Sequence, residues 1–176
     1  RIDRRRKLPV TVLLRALSMS SEDILSSFYE TVRFTKSKKG WSAPFDIERV
    51  RGIKLLSDLT NAKTGKIVAE AGRRVTPRLA KKIEDSGMTE QLLPEEEVIG
   101  QYIAEDLINE QTGEIFAEAG DEITEEVLEA FDEASITDVP VLAIDHVNIG
   151  SYMRNTAAVD KSSNREEALT EIYKVM

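Results

Sequence analysis

Apolar and polar positions along this chain fall into short runs of differing spacing, which predict helices at both ends and strands between them. Thr11-Val12-Leu13-Leu14-Arg15-Ala16-Leu17 reads as a helix whose start is limited by Pro9. Ser20-Ser21-Glu22-Asp23 supplies a capped start for a second helix running to Tyr29. Ser163-Asn164-Arg165-Glu166 has the form of a capping box and opens a C-terminal helix carrying Ala168, Leu169, Ile172 and Tyr173.

The middle of the chain repeats itself at an offset of 48. Asp58-Leu59-Thr60-Asn61-Ala62-Lys63-Thr64-Gly65-Lys66-Ile67-Val68-Ala69-Glu70-Ala71-Gly72 lies over the stretch from Asp106 to Gly120. The match continues through Val75-Thr76 over Ile123-Thr124, Leu79 over Val127 and Ile83 over Phe131. In each copy Thr-Gly makes a tight turn, because glycine supplies the positive φ that such turns require. A short strand follows, at Ile67-Val68-Ala69 and Ile115-Phe116-Ala117, and Ala-Gly forms a second turn. Thr76 and Thr124 are the expected helix N-caps, the first with Pro77 at the opening helical position and the second with an acidic first turn. Leu79 and Ile83, or Val127, Leu128 and Phe131, give each helix one apolar side. Gly87 closes the first helix, and Leu92-Leu93 or Val139-Pro140-Val141-Leu142 returns as a strand.

The expected fold class is α+β. Mainly helical segments at 1–30 and 147–176 are interrupted by a β-rich insertion at 31–146. That insertion holds two 48-residue strand–turn–strand–helix–strand repeats, about 53–100 and 101–146. With 176 residues the chain can bury a real core as one domain or two small ones. It begins with Arg1 rather than Met and shows no signal-peptide pattern, so it reads as a piece of a longer chain. Its longest apolar runs, about half a dozen residues, are too short to span a bilayer as a helix. The absence of cysteine excludes disulfides, thiolate metal sites and thiol nucleophiles, and is compatible with a reducing compartment.

The net charge of −8 hides a division. Residues 1–82 hold 20 Lys/Arg against 8 Asp/Glu, whereas residues 83–153 hold 20 Asp/Glu and no Lys or Arg. The last 23 residues carry four of each sign. Such asymmetry suggests one face for a polyanion and another that repels it; the plainer reading is solvated surface that happens to be segregated.

The densest basic cluster is Arg4-Arg5-Arg6-Lys7, preceded by Arg1 and interrupted by Asp3. Lys and Arg bind phosphates through charge and counterion release, and a bidentate Arg can read a guanine edge. A carboxylate inside such a run is repelled by a polyanion unless it accepts a hydrogen bond from a base. The alternative is an exposed charged turn before a helix. A second basic run, Arg33, Lys36, Lys38 and Lys39 around Phe34 and Trp41, either extends a nucleic-acid surface or forms a solvated hairpin. Glu95-Glu96-Glu97 and Asp121-Glu122 lack calcium-loop spacing, and Glu125, Glu126 and Glu129 fall on the polar side of a helix, so no metal site is expected. His146, the lone histidine, follows Asp145 and reads as a linker or capping residue. No nucleophile elbow, Walker loop or dinucleotide fingerprint occurs, so no catalytic residues are expected.

Arg1 to Pro9, with Thr11 and Leu14-Arg15-Ala16-Leu17, closely resembles a segment of the β subunit of bacterial DNA-directed RNA polymerases. Tyr152, Thr156, Val159-Asp160, Asn164-Arg165, Ala168-Leu169 and Glu171-Ile172-Tyr173 resemble its continuation. Between them, Arg51-Gly52, Gly72-Arg73-Arg74-Val75-Thr76 and residues 112–114 resemble a lineage-specific insertion of that subunit. The resemblance implies the lobe domain, one side of the downstream DNA cleft, in a cytoplasmic, nucleoid-associated enzyme that polymerises ribonucleoside triphosphates on a DNA template. It implies DNA-binding roles for Arg1, Asp3, Arg4, Arg5, Arg6 and Lys7, with Asp3 in a pocket for a non-template guanine. It implies no cofactor in this segment, the catalytic Mg²⁺ being held by β′ aspartates. The implied partners are DNA, the α, β′, ω and sigma subunits, and regulatory proteins at the insertion. The alternative reading is a stand-alone protein-interaction module without nucleic acid. A biotinyl- or lipoyl-type carrier is disfavoured, since Lys66 in one copy is matched by Glu114 in the other.

Overall fold

In the computed structural model of the chain, residues 7–108, 113–145 and 149–176 are described. The described residues form an α+β fold with eight helices and eight strands. Helix α1 (Val10–Ala16) starts at Pro9, and α2 (Ser21–Phe28) starts at Ser20. The Ser20 side chain accepts from Asp23 N, while the Asp23 carboxylate accepts from Ser20 N. The hydrogen bonds Ser20 offers the Asp23 carboxylate, from its backbone first and its side chain second, lower the Asp23 pKa. A hairpin follows, β1 (Thr31–Ser37) and β2 (Gly40–Pro44), then the single turn α3 (Ile47–Val50). The second basic run lies on this hairpin, with Phe34 and Trp41 buried.

Elements then recur at the offset of 48. Strands β3 (Leu59–Asn61) and β4 (Ile67–Ala69), helix α4 (Pro77–Asp85) and strand β5 (Glu90–Leu93) come first. After the single turn α5 (Glu95–Val98) come β6 (Leu107–Ile108), β7 (Ile115–Ala117), α6 (Glu125–Glu133) and β8 (Asp138–Leu142). The agreement reaches individual bonds. Asp58 Oδ1 accepts from Ala71 N and Asp106 Oδ1 from Ala119 N, both at 2.7 Å. Each hairpin shifts register after its first pair, Leu59–Ala69 and Leu107–Ala117. Thr76 and Thr124 cap their helices, accepting from Leu79 N and Val127 N. The burial pattern repeats as well: Leu55, Ala69, Val75, Ala80 and Ile83 are buried, as are Ile103, Ala117, Ile123, Leu128 and Phe131.

The main sheet has the order β4-β3-β5-β2-β1-β8. Neighbouring strands from β4 to β1 run antiparallel. At the other edge Lys36 N donates to the Thr137 carbonyl at 2.7 Å. Strands β6 and β7 form a separate two-stranded ribbon.

Last come α7 (Tyr152–Val159) and α8 (Arg165–Val175). The cap of α8 is Asn164 and not Ser163, a shift of one residue from the expected box. Asn164 Oδ1 accepts from Glu167 N, and the Glu167 carboxylate accepts from Ser163 N and Oγ. The Ser163 bonds, backbone then side chain, hold the Glu167 pKa below its usual value.

Two compact units are present. The first comprises Arg1–Thr31, Gln101–Ile123 and Pro140–Met176; the second comprises Val32–Gly100 and Thr124–Val139. In the first, Leu25, Tyr29, Ala104, Leu142 and Ile144 form one apolar cluster. In the second, Leu55, Leu59, Ala69, Val75, Ala80, Ile83 and Met88 form another. The compact units therefore divide the second copy internally, its strand arch in one and its helix α6 in the other.

The two repeat helices end differently. After the C-cap Ser86 comes Gly87 at φ +65, whereas after Ala134 comes Ser135 at φ +56. A side chain in the left-handed region is strained where glycine is not. Ser135→Gly is expected to stabilise the chain by about 0.5–1 kcal/mol, read as a higher urea midpoint at unchanged m-value.

Candidate nucleic-acid interface

Of the basic cluster singled out by sequence, Arg1, Asp3, Arg4, Arg5 and Arg6 lie outside the described residues, as does His146. Lys7 is exposed in the extended segment that leads into α1. What the structure does describe is how that segment is held. Helix α1 buries Thr11, Val12 and Arg15, so one face carries two polar residues inward. The Arg15 guanidinium donates to Ser21 Oγ at 3.0 Å and to the Ser163 carbonyl at 3.3 Å. Its Nε lies 3.4 Å from Asp160 Oδ2, an ion-pair separation rather than a hydrogen bond, with the Asp160 side chain fully buried.

Asp160 is further held by Ser162, whose N and Oγ donate to Oδ1 at 2.9 and 2.6 Å. Burial works to raise its pKa, but the hydrogen bonds from Ser162, the nearby Thr11 hydroxyl and the Arg15 charge outweigh that penalty. The net direction is downward from 3.8. This one pair therefore ties α1, the start of α2 and the α7–α8 connection together. Sequence reading passed over it as a site, although a Thr-x-x-x-Arg pair on the inward side of a short helix was a visible signal.

Tyr29 performs a second tie within the same unit. Its hydroxyl donates to the Gly150 carbonyl at 3.0 Å and accepts from Met153 N and Arg154 N at the start of α7. Those amides have no partner inside their own helix, so the phenol takes the place of a cap. Arg154 then donates through Nε to the Gly120 carbonyl at 2.7 Å and stacks 4.2 Å over the Tyr102 ring.

The second basic run is partly neutralised. Arg33 pairs with Asp138 at 2.7 Å, Lys36 pairs with Asp132 and sits 5.4 Å over the Trp41 ring, and Lys39 donates to the Lys63 carbonyl. Lys38 is exposed. Among the described residues no three His, Asp or Glu side chains converge as a metal-binding group. No helix of the described residues is long and apolar enough to cross a membrane.

No family model matches the chain. Comparison with curated proteins places it first in a class, the subunits of bacterial DNA-directed RNA polymerases. The subunit is β: all 176 residues align, at 58% identity, with proteins named DNA-directed RNA polymerase subunit beta from Brucella canis, Brucella abortus and Brucella suis. Identity at this level from end to end identifies the chain as a segment of the β-subunit family, in agreement with the resemblance carried by its own motifs. It spans 13% of the length of those relatives.

The buried pair makes a direct prediction. Asp160→Asn leaves Arg15 buried without its counter-charge and is expected to cost roughly 3–5 kcal/mol in urea unfolding. Because the folded pKa is depressed, the Asp160 contribution is present above the unfolded carboxylate value. It disappears as pH falls through the lower folded value. The wild-type chain should accordingly lose stability below about pH 4, and the Asn variant should lack that part of the loss.

Proposed function

We propose that this chain acts in transcription as part of the β subunit of a multisubunit RNA polymerase that makes RNA from ribonucleoside triphosphates on a DNA template. The observation that carries the reading is the 58% identity over every residue of the chain to proteins named for that activity. In this reading the chain supplies no catalytic group, and the polymerising Mg²⁺ belongs to β′. The α, β′, ω and sigma subunits are the partners of the assembled enzyme.

The finer assignment is that the segment from Arg1 to Lys7 faces the downstream duplex and the non-template strand. Five cations surround Asp3, and a carboxylate is tolerated against a polyanion when it accepts from guanine N1–H and N2–H₂. The buried Arg15–Asp160 pair supports this by fixing α1, onto which the basic segment leads. Residues 31–146 are assigned as an insertion whose acidic surface docks regulatory proteins and stays off DNA.

In intact polymerase, Arg4→Ala and Lys7→Ala are each expected to weaken downstream-DNA complexes. The slope of log affinity against log salt should fall by about 0.9 for each phosphate no longer neutralised. Open-complex lifetimes that match wild type at every salt concentration would refute the DNA-facing role. For the docking role, Glu126→Lys with Glu129→Lys should shrink the change in open-complex lifetime produced by an added regulatory protein. An undiminished response would count against docking on α6.

A further inference from the structure

The two copies share a backbone but carry opposite charge at four matched exposed positions. Arg73 is matched by Asp121, Arg74 by Glu122, Arg78 by Glu126 and Lys81 by Glu129, and every one of these eight side chains is exposed. On α4, Arg78, Lys81 and Lys82 stand within about one-fifth of the helix circumference on either side of a single line. The buried residues Ala80 and Ile83 are on the other side of the helix. These three cations form one stripe on α4, and Arg73 and Arg74 are exposed just ahead of the helix in sequence. Arg51 takes Glu84 at 3.7 Å, leaving that carboxylate occupied. Among the described residues no ion pair joins Arg73, Arg78, Lys81 or Lys82 to a carboxylate. Asp85, at the far end of the stripe, is its one acidic neighbour on the outer face of α4.

We propose that this stripe binds the phosphate backbone of duplex DNA. An unpaired row of like charges destabilises an isolated fold slightly, and the second copy shows that the same scaffold closes with carboxylates at these positions. The cations are therefore not required by the fold. The composition separates the two possible polyanions. Protein interfaces are depleted in lysine and anchored by aromatic or aliphatic side chains, whereas the outer face of α4 offers cations and no such anchor. Clustered Lys and Arg along one helix is the footprint of phosphate binding without base reading. The inference rests on the polymerase reading for its source of DNA, but it concerns the basic face of the first copy and not the acidic surface that reading keeps off DNA.

The test uses intact polymerase whose β subunit carries this chain. Replacing Lys81 with p-benzoylphenylalanine and irradiating complexes with an end-labelled promoter fragment is expected to crosslink the label to β. In parallel, Arg78→Gln with Lys81→Gln should lower the salt slope by about 1–2 units, one phosphate per residue at roughly 0.9 each. Arg78→Glu with Lys81→Glu, which installs the residues of the second copy, should lower the affinity further at every salt concentration. A crosslink confined to another polypeptide, or a wild-type salt slope in the Gln variant, overturns the proposal. A reduced slope in Lys7→Ala but not in the α4 variants sinks this inference alone; a reduced slope in the α4 variants but not in Lys7→Ala or Arg4→Ala sinks only the lobe reading.

Discussion

A buried arginine and a buried aspartate, far apart in sequence, carry the architecture of the first compact unit. Arg15 reaches the Ser163 carbonyl across 148 residues, and its charge is answered by Asp160. Desolvating both ions is expensive, and the cost is offset only because each also takes hydrogen bonds: Ser21 and Ser163 for the guanidinium, Ser162 through its amide and hydroxyl for the carboxylate. Such a node rewards one arrangement and penalises alternatives in which either ion is buried alone. It lets the two ends of the chain belong to one body although most of the sequence lies between them. The Tyr29 hydroxyl repeats the device with neutral groups, joining α2 to the start of α7.

The repeat shows what is structural and what is free. Five core positions buried in the first copy, Leu55, Ala69, Val75, Ala80 and Ile83, are buried at their matches in the second, and the Asp58 and Asp106 turn bonds are the same length. Several exposed positions have instead changed sign, as from Arg73 and Arg78 to Asp121 and Glu126, while others such as Glu70 and Glu118 keep it. The core and the turns fix the backbone, since apolar volume and positive-φ positions leave little choice. Solvated charges add little to stability, so they can diverge toward binding. This also explains why the net charge of the whole chain describes nothing physical. Arg33 and Lys36 of the basic half are paired with Asp138 and Asp132 of the acidic half inside one compact unit.

Much of the fold was legible because it rests on local chemistry. The offset of 48, the Thr76 and Thr124 caps, the strands at 67–69 and 115–117 and the closing Gly87 follow from residue type and spacing. The single turns α3 and α5 were not legible, being four residues each and too short to show a helical period. Helix α7 has no buried residue, so it carries no apolar stripe to read. At α8 the cap moved by one residue: Asn164 accepts from the Glu167 amide, and Ser163 donates instead to the Glu167 carboxylate. The compact units were hidden for a different reason: they depend on which copies' strands and helices pack together, which no spacing within one copy encodes.

The candidate site was legible as composition and not as geometry. Sequence placed weight on the cations from Arg1 to Lys7, where only Lys7 is among the described residues. It passed over Arg15, whose importance comes from a partner 145 positions away that spacing cannot connect. It also counted α4 within an insertion characterised as acidic, because charge was summed over a stretch and not over a face. Reading charge at matched positions of the two copies, instead of along the chain, separates Arg78 and Lys81 from Glu126 and Glu129 at once. A duplicated scaffold is its own control: what differs at an exposed matched position is not demanded by the shared fold, so a consistent reversal of sign across several of them marks where selection has acted on partners.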